Sequence, residues 1–505
     1  MRTKYTVYNF LVSLITSVVL PLIGMLKIRM FIDCYGQGIN GLQLTIVNVI
    51  TFLNICEIAY SLAFRQLLFE PLANHDREKV LKIYYGARKF FKLTGAILLT
   101  LGFIGAFIFP LFSASPLSYG ETVYTFIVLM LPYGLSYFLM GPNFVIIADQ
   151  KEYKINIWIQ TIAILRMIFM ILVIRVGWSY QWVFFIEGAQ VLLANTVAYF
   201  IALKEYPWLK HKVDSDDRSF IHNAKYTVIQ RLSNLATTNT DNIVIAAVMG
   251  YDAVSVFGNY SYLTGAVSKI IQSAITSPIN SFGNLFNDKK SDSYAVFTEY
   301  FNFAVLIASI ISICVFVAMP QFVYLWLKRP DEYIVSLPIA LLFALNLFYM
   351  TMRETVIITR DSNGLFVDAK NNAYWQAIVK VVLTIALIIP YGFVGVLLST
   401  FITNWVVDFL YNPVLVYKKV FHSHPLRFYK MVGIRMVIAC IVAVIAYMGW
   451  SGVEVYAQSG YVPFFICCIG LGSFVLISTV VTYAIFFKSF RNLFVRMYNL
   501  FIRKI

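Results

Sequence analysis

Long apolar runs alternate with short polar segments along almost the whole chain. Each run holds about 20 or more mostly apolar residues, the length of a helix that crosses the hydrocarbon core of a bilayer. The pattern predicts an all-α integral membrane protein of about fourteen transmembrane helices. The predicted spans cover residues 7–30, 42–64, 93–112, 122–147, 156–176, 183–203, 226–249, 254–277, 297–319, 337–358, 373–391, 394–416, 431–450 and 462–486.

Lys and Arg are distributed unequally between alternate loops. With the N-terminus placed in the cytoplasm, the inner segments hold 29 of the 40 basic residues, and the outer loops proper hold Lys328 and Arg329. Cytoplasmic loops of membrane proteins carry this excess of basic residues. We therefore expect both termini in the cytoplasm.

Composition agrees with the predicted membrane spans, and the distribution of charge argues against nucleic acid as a partner. The chain of 505 residues is 60% hydrophobic and 13% charged, whereas soluble domains are roughly 45–50% apolar and about 25% charged. The net charge of +15 follows the loops rather than a single face, so it indicates membrane orientation and not nucleic-acid binding.

Signatures of catalysis and cofactor binding are absent from the sequence. It contains no GxxxxGK[ST], GxSxG or HExxH motif, and the six cysteines show no metal or redox spacing. No loop reaches the roughly 40 residues that a small independent domain needs, which argues against a membrane polymerase or acyltransferase. We therefore expect a protein that is not an enzyme and needs no cofactor or metal.

The order of the spans suggests an internal repeat. Spans 1–2 and 7–8 both comprise a helix, a glycine-containing outer turn, a polar helix, a proline and a charged inner loop. Six spans separate the copies, which predicts two parallel lobes with a site between them. The predicted parts are an N-lobe (1–203), a linker (204–225), a C-lobe (226–416), a helix pair (431–486) and a basic amphipathic cytoplasmic tail (487–505). We expect the tail and the basic segment 71–92 to lie as helices on the anionic inner leaflet.

Polar and charged residues line single faces of spans 1, 2, 7 and 8. Charges inside a membrane span are costly and usually face a bundle interior or a wet cavity. In span 7 the polar residues fall within about 140° of one another at 100° per residue. Charges on other spans (Arg166, Glu187, Lys380 and Asp408) are interpreted as structural. The candidates for lining a substrate cavity are Lys27, Arg29, Asn54, Glu57, Arg231, Asn234, Thr238, Asp241, Lys269 and Gln272.

The mixture of charge signs bears on the substrate. Arg and Lys suit an anionic group such as phosphate. Asp241 and Glu57 are candidates to accept a proton or cation, and a cation exporter would be expected to carry mainly acidic residues in its cavity. In the absence of an ATP-binding motif, the energy would come from an ion gradient, the membrane potential or consumption of the product.

Three stretches resemble the Wzx-like polysaccharide flippases of the multidrug/oligosaccharidyl-lipid/polysaccharide exporter superfamily. They are EIAYSLAFRQLLFEPLANHDREKVLKIY, NTDNIVIAAVMGYDAVSVFGNYSYL and RDSNGLFVDAKNNAYWQAIVKVVLTIALIIPYGFVGVLLSTFITN. The resemblance implies a flippase of the bacterial inner membrane that serves O-antigen, capsule or exopolysaccharide synthesis. Its substrate would be an undecaprenyl-diphosphate-linked oligosaccharide, carried by alternating access of two six-helix lobes. H⁺ or Na⁺ is the candidate coupling ion and a polysaccharide polymerase the candidate protein partner.

Two alternatives stay open at this point. One is another transporter of the superfamily, either a cation-coupled drug exporter or a peptidoglycan-precursor flippase. The other is a membrane enzyme such as a polysaccharide polymerase or acyltransferase.

Overall fold

The computed structural model describes residues 2–112, 114–211, 217, 219–276, 293–328 and 336–492. Within these ranges, the side chains that fall outside the description are those of residues 2–18, 55–56, 58–59, 62, 220, 222–232, 234, 236, 238, 272–276 and 366–367.

The described residues form seventeen α-helices and no strand. They are α1 (Arg2–Tyr35), α2 (Gln37–Leu53), α3 (Ile55–Ala73), α4 (Arg77–Phe112), α5 (Tyr119–Ser136), α6 (Pro142–Ala148), α7 (Tyr153–Val176), α8 (Tyr180–Glu205), α9 (Ser219–Met249), α10 (Tyr251–Thr276), α11 (Ser293–Leu327), α12 (Leu337–Ser362), α13 (Phe366–Ile402), α14 (Phe409–Lys419), α15 (Leu426–Ser451), α16 (Glu454–Gln458) and α17 (Tyr461–Phe486). A π-turn, Thr403–Asp408, joins α13 to α14.

Nine helical segments in the described part of the chain are long and apolar enough to cross a membrane. They contain α4, α5, α7, α8, α11, α12, α13 with α14, α15 and α17. The more polar helices α1, α9 and α10 are 34, 31 and 26 residues long, which at about 1.5 Å per residue also exceeds the roughly 30 Å hydrocarbon core. The predicted all-α membrane fold is confirmed.

Helix α13 reverses direction at Gly392. Gly392 has φ 54° and ψ −130°, a conformation that glycine adopts readily because it has no Cβ. Lys380 Nζ lies 3.4 Å from the carbonyl oxygen of Val396, whereas 16 residues of straight helix would span about 24 Å. The segment is therefore a hairpin of two limbs, 366–391 and 393–402, in agreement with the two spans predicted there.

The chain divides into two compact units, Met1–Asn259 and Tyr260–Ile505. In the first unit, α7 and α8 pack together, α5 packs on α4 and α8, and α9 packs against α2 and α3. In the second unit, α11 packs against α12, α15 and α17, and α12 packs against α13. The lobe boundaries drawn from the sequence remain a prediction.

The basic segment 71–92 differs from its expected form. It is helical from Arg77 onward, but α4 runs as one helix of 36 residues through the following span. Val80, Tyr84, Ala87 and Phe91 are buried in the core of the first unit. Because these residues recur at helical spacing, they pack against protein, and a separate helix on the membrane surface is wrong for this segment. In the tail, residues 493–505 lie outside the described residues.

The two glycine-containing turns that precede α2 and α10 pack against each other in the first unit. Asn40 at the start of α2 donates a 2.8 Å hydrogen bond to Ser255 Oγ on α10, and both side chains are buried. A Cβ at Gly41 would lie 1.8 Å from the carbonyl oxygen of Tyr251. The backbones approach this closely only because residue 41 has no side chain.

We predict that Gly41→Ala destabilises the protein by about 2 kcal/mol or more, because the new methyl group overlaps the backbone of Tyr251. The measurement is the thermal unfolding midpoint of the detergent-solubilised protein. Gly470→Ala in α17 is the matched control, since a Cβ there meets nothing within 4 Å. Equal unfolding midpoints for the two variants would contradict the close contact.

Candidate functional site within the membrane-spanning helices

Four charged or polar side chains meet inside the first unit, and we call them the N-terminal polar cluster: Lys27, Gln43, Arg166 and Glu187. Lys27 is 8% exposed and lies 3.5 Å from Gln43 Oε1. Gln43 Nε2 donates to Glu187, and Arg166 Nη1 lies 3.7 Å from Glu187 Oε1. The cluster therefore joins α1, α2, α7 and α8 through two cations and one anion.

Two further predicted residues lie on the bent span formed by α2 and α3. Glu57 lies on α3 and is partly buried. Asn54 occupies the break between α2 and α3 and is 6% exposed. Its Oδ1 is buried and accepts no hydrogen bond from the residues described.

The remaining candidates are distributed over α1, α9 and α10. Arg29 pairs with Asp33 at 3.8 Å. Asp241 is partly buried on α9, whereas Lys269 is exposed on the part of α10 that belongs to the second unit. The other four candidate side chains lie outside the described residues: Arg231, Asn234, Thr238 and Gln272.

At the C-terminal ends of α6 and α8, charges form a separate group. Lys151 lies 2.8 Å from Asp149 Oδ2 and 3.1 Å from Glu205 Oε1. The hydrogen bond to Asp149, assisted by Glu205, raises the pKa of the Lys151 ammonium. These partly exposed pairs tie helix ends together and are not part of the candidate cavity.

The second unit contains a buried carboxylate, Asp408, which is 1% exposed. We call Asp408 and its partners the Asp408 cluster. Arg353 Nη1 lies 3.2 Å from Asp408 Oδ2, and Tyr349 donates to the same oxygen at 2.8 Å. Oδ1 accepts amide hydrogen bonds from Asn372 at 2.9 Å, Gln376 at 2.8 Å and Asn412.

The Asp408 cluster holds α12, α13 and α14 around one buried carboxylate, and we call this its anchor role. Five donors from α12, α13 and α14 satisfy one carboxylate at the end of the π-turn. Burying a charge is costly unless it is paired and fully hydrogen-bonded, and here both conditions are met. The arrangement agrees with the structural role predicted for Asp408.

Sequence analysis missed how these residues connect, although a signal was present. Asn372, Gln376, Lys380 and Thr384 follow one another at intervals of four and so share one face of α13. It also missed Arg435 on α15, which is 3% exposed. Arg435 Nε lies 2.8 Å from Asn302 Oδ1, and its guanidinium lies 4.2 Å from the Phe487 ring centroid.

Comparison with solved structures identifies the fold. The structure "Lipid II flippase MurJ, inward closed conformation" superposes with a TM-score of 0.66 at 15% identity, covering 93% of this chain and 98% of that one. An inward-facing multidrug resistance MATE family transporter of the MOP superfamily gives 0.59 at 14% identity over 79% and 96%. The MATE multidrug transporter DinF-BH gives 0.56 at 17% identity over 83% and 97%.

No family model and no curated protein matches the sequence. Because the identities are low, the similarity concerns the fold. The chain has the all-α transporter fold shared by MATE transporters of the MOP superfamily and the lipid II flippase MurJ.

We predict that Asp408→Asn destabilises the protein by about 1–3 kcal/mol, because the partly buried Arg353 loses its counter-charge and donors that met a carboxylate oxygen then face an amide N–H. The measurement is thermal unfolding in detergent, completed as a double-mutant cycle with Arg353→Gln. Asp368→Asn is the matched control, since Asp368 pairs with Lys419 at 2.6 Å between the neighbouring helices α13 and α14 but in solvent. This exposed pair should contribute about 0–1 kcal/mol. A similar loss for both substitutions would contradict the anchor role.

Proposed function

We propose that the protein moves an undecaprenyl-diphosphate-linked oligosaccharide from the inner to the outer leaflet of the cytoplasmic membrane during polysaccharide biosynthesis. Movement would occur by alternating access between the two predicted lobes. The observation that carries the proposal is the extent of the fold similarity: a flippase of a lipid-linked molecule matches almost the whole chain, and the drug transporters match less of it.

The difference in coverage bears on the kind of substrate. The MurJ structure covers 93% of the chain, whereas the two MATE structures cover 79% and 83%. The chain carries two further long apolar helices, α15 and α17, after α14. A lipid-linked substrate brings a hydrocarbon tail that stays in the bilayer while its headgroup crosses, and additional membrane helices beside the lobes suit such a substrate.

The charges of the first unit support an anionic headgroup. Lys27 and Arg166 supply two cations to the N-terminal polar cluster, against one carboxylate from Glu187. Arg231 adds a further cation on α9, the helix packed against α2 and α3. A diphosphate would bind to Lys and Arg through charge-assisted hydrogen bonds.

Two other functions of the same superfamily remain open. The MurJ similarity favours a peptidoglycan-precursor flippase, and the MATE similarity favours a cation-coupled drug exporter. The net excess of cations in the N-terminal polar cluster disfavours a cationic drug, because like charges repel in a low-dielectric interior. A polysaccharide polymerase or acyltransferase has no support from these structural neighbours, which are transporters.

We predict that the purified protein in proteoliposomes translocates a fluorescent undecaprenyl-diphosphate-linked oligosaccharide and that Arg231→Ala lowers the rate about tenfold or more. Translocation is measured as loss of the label accessible to a membrane-impermeant quencher or lectin. Lys418→Ala, at an exposed position of α14, is the control for a removed cation outside the cavity.

The same vesicles distinguish the alternatives. Transport of lipid II in preference to the oligosaccharide lipid would replace the proposal by the peptidoglycan-precursor function. Transport of a cationic rhodamine dye alone would replace it by drug export, and lengthening of the oligosaccharide would identify a polymerase. Equal rates for native protein and Arg231→Ala would keep the function and remove Arg231 from the site.

We propose further that protonation of Asp241 or Glu57 couples H⁺ to the exchange between the two access states. Both carboxylates lie on the adjacent helices α9 and α3. The double variant Asp241→Asn/Glu57→Gln should therefore transport at a rate that no longer depends on an imposed pH gradient. The measurement is translocation with and without that gradient, and unaltered gradient dependence in the double variant would contradict the coupling.

A further inference from the structure

Lys380 lies within the α13 hairpin and is 1% exposed. Its ammonium carries three protons and can only donate. Nζ donates to Thr400 Oγ1 at 2.6 Å, to Ser399 Oγ at 3.0 Å and to the carbonyl oxygen of Val396 at 3.4 Å. Three oxygens of one limb of the hairpin thus surround a cation supplied by the other limb.

The position of these oxygens in the hairpin resembles a cation site rather than ordinary helix packing. The limb that supplies them begins after the reversal at Gly392 and ends in the π-turn Thr403–Asp408. In membrane transporters, interrupted helices present carbonyl oxygens that coordinate cations. A third hydroxyl, that of Thr384, lies 2.7 Å from Ser399 Oγ and holds it in place.

A purely structural contact between the two limbs would not require a charge. The neighbouring Thr384 and Ser399 join the limbs by an uncharged hydrogen bond at the same depth. A buried ammonium has a desolvation cost that an uncharged pair avoids. The charge of Lys380 is therefore better explained by a site that requires a cation than by the need to join the two limbs.

We propose that the second unit contains a cation site whose occupant is the Lys380 ammonium, with Val396 O, Ser399 Oγ and Thr400 Oγ1 as its ligands. The tethered ammonium holds the two limbs of α13 together as a bound metal or ammonium ion would. The native protein consequently needs no free Na⁺ at this place. The inference is independent of the proposed substrate, because its test measures stability and binding rather than transport.

The test removes the tethered cation and supplies a free one of matching shape. Lys380→Ala deletes the side chain beyond Cβ, and n-propylammonium has the same four heavy atoms. We expect the unfolding midpoint of the purified variant to fall by several degrees and to rise again by about 3 °C or more with saturating n-propylammonium. 1-Propanol, of the same shape without the charge, and choline, too large for the site, should give no rise.

Two protein controls accompany this measurement. The native protein and Lys418→Ala should show no rise with n-propylammonium, because the site is occupied by Lys380 in both. Lys380→Ala/Thr400→Val should lose most of the rise, since the hydroxyl closest to the ammonium is gone. A folded Lys380→Ala that responds equally to 1-propanol, or a response to n-propylammonium that survives Thr400→Val unchanged, would overturn the proposal.

A further variant keeps the test decisive if Lys380→Ala does not fold. Lys380→Met fills the same space without a charge, so it should be less stable than the native protein and should not respond to n-propylammonium. An unfolding midpoint equal to that of the native protein would show that the site does not require a cation, and the proposal would fail.

Discussion

A charge inside the membrane must find its partners within the protein, and the second unit depends on this constraint. Asp408 is enclosed by five donors, which come from three helices. Each donor reaches the carboxylate only if its own helix keeps its register. One buried carboxylate thereby fixes the rotation and height of α12, the hairpin α13 and α14 more precisely than hydrophobic contacts could, because apolar surfaces can slide at little cost.

The same constraint has a different outcome in the first unit. The contacts of the N-terminal polar cluster include longer separations, 3.5 Å for Lys27 to Gln43 and 3.7 Å for Arg166 to Glu187. Asn54 retains an acceptor that nothing described in the structure satisfies. The Asp408 cluster likewise contains buried atoms without a partner among the described residues, Arg353 Nε and Asn372 Oδ1. The two networks differ in charge instead: the N-terminal polar cluster holds two cations against one carboxylate, whereas Asp408 is paired with one cation, Arg353.

Sequence patterns predict helices better than the partners of polar residues. Apolar runs located the spans, including the two limbs of α13, because span length is set by bilayer thickness. The separate surface helix at 71–92 was wrong because its apolar positions, such as Tyr84 and Phe91, pack against protein rather than lipid. The spacing of apolar residues shows that one face of a helix is apolar, but it does not show whether protein or lipid covers that face. For the same reason the fivefold coordination of Asp408, which joins residues 36 and 59 positions apart, could not be deduced from spacing.

The two buried networks of the second unit also explain why its charges can persist without a substrate. Asp408 has its counter-charge in Arg353, and Lys380 has its oxygens in the opposite limb of the hairpin. Both sites lie on the face of α13 that carries Asn372, Gln376 and Thr384. The same face therefore contacts the Asp408 carboxylate at one depth and carries the Lys380 ammonium at another. Moving either limb by one residue would break both networks together, because each residue turns the helix by about 100°. The two networks therefore keep the two limbs of the hairpin in one register.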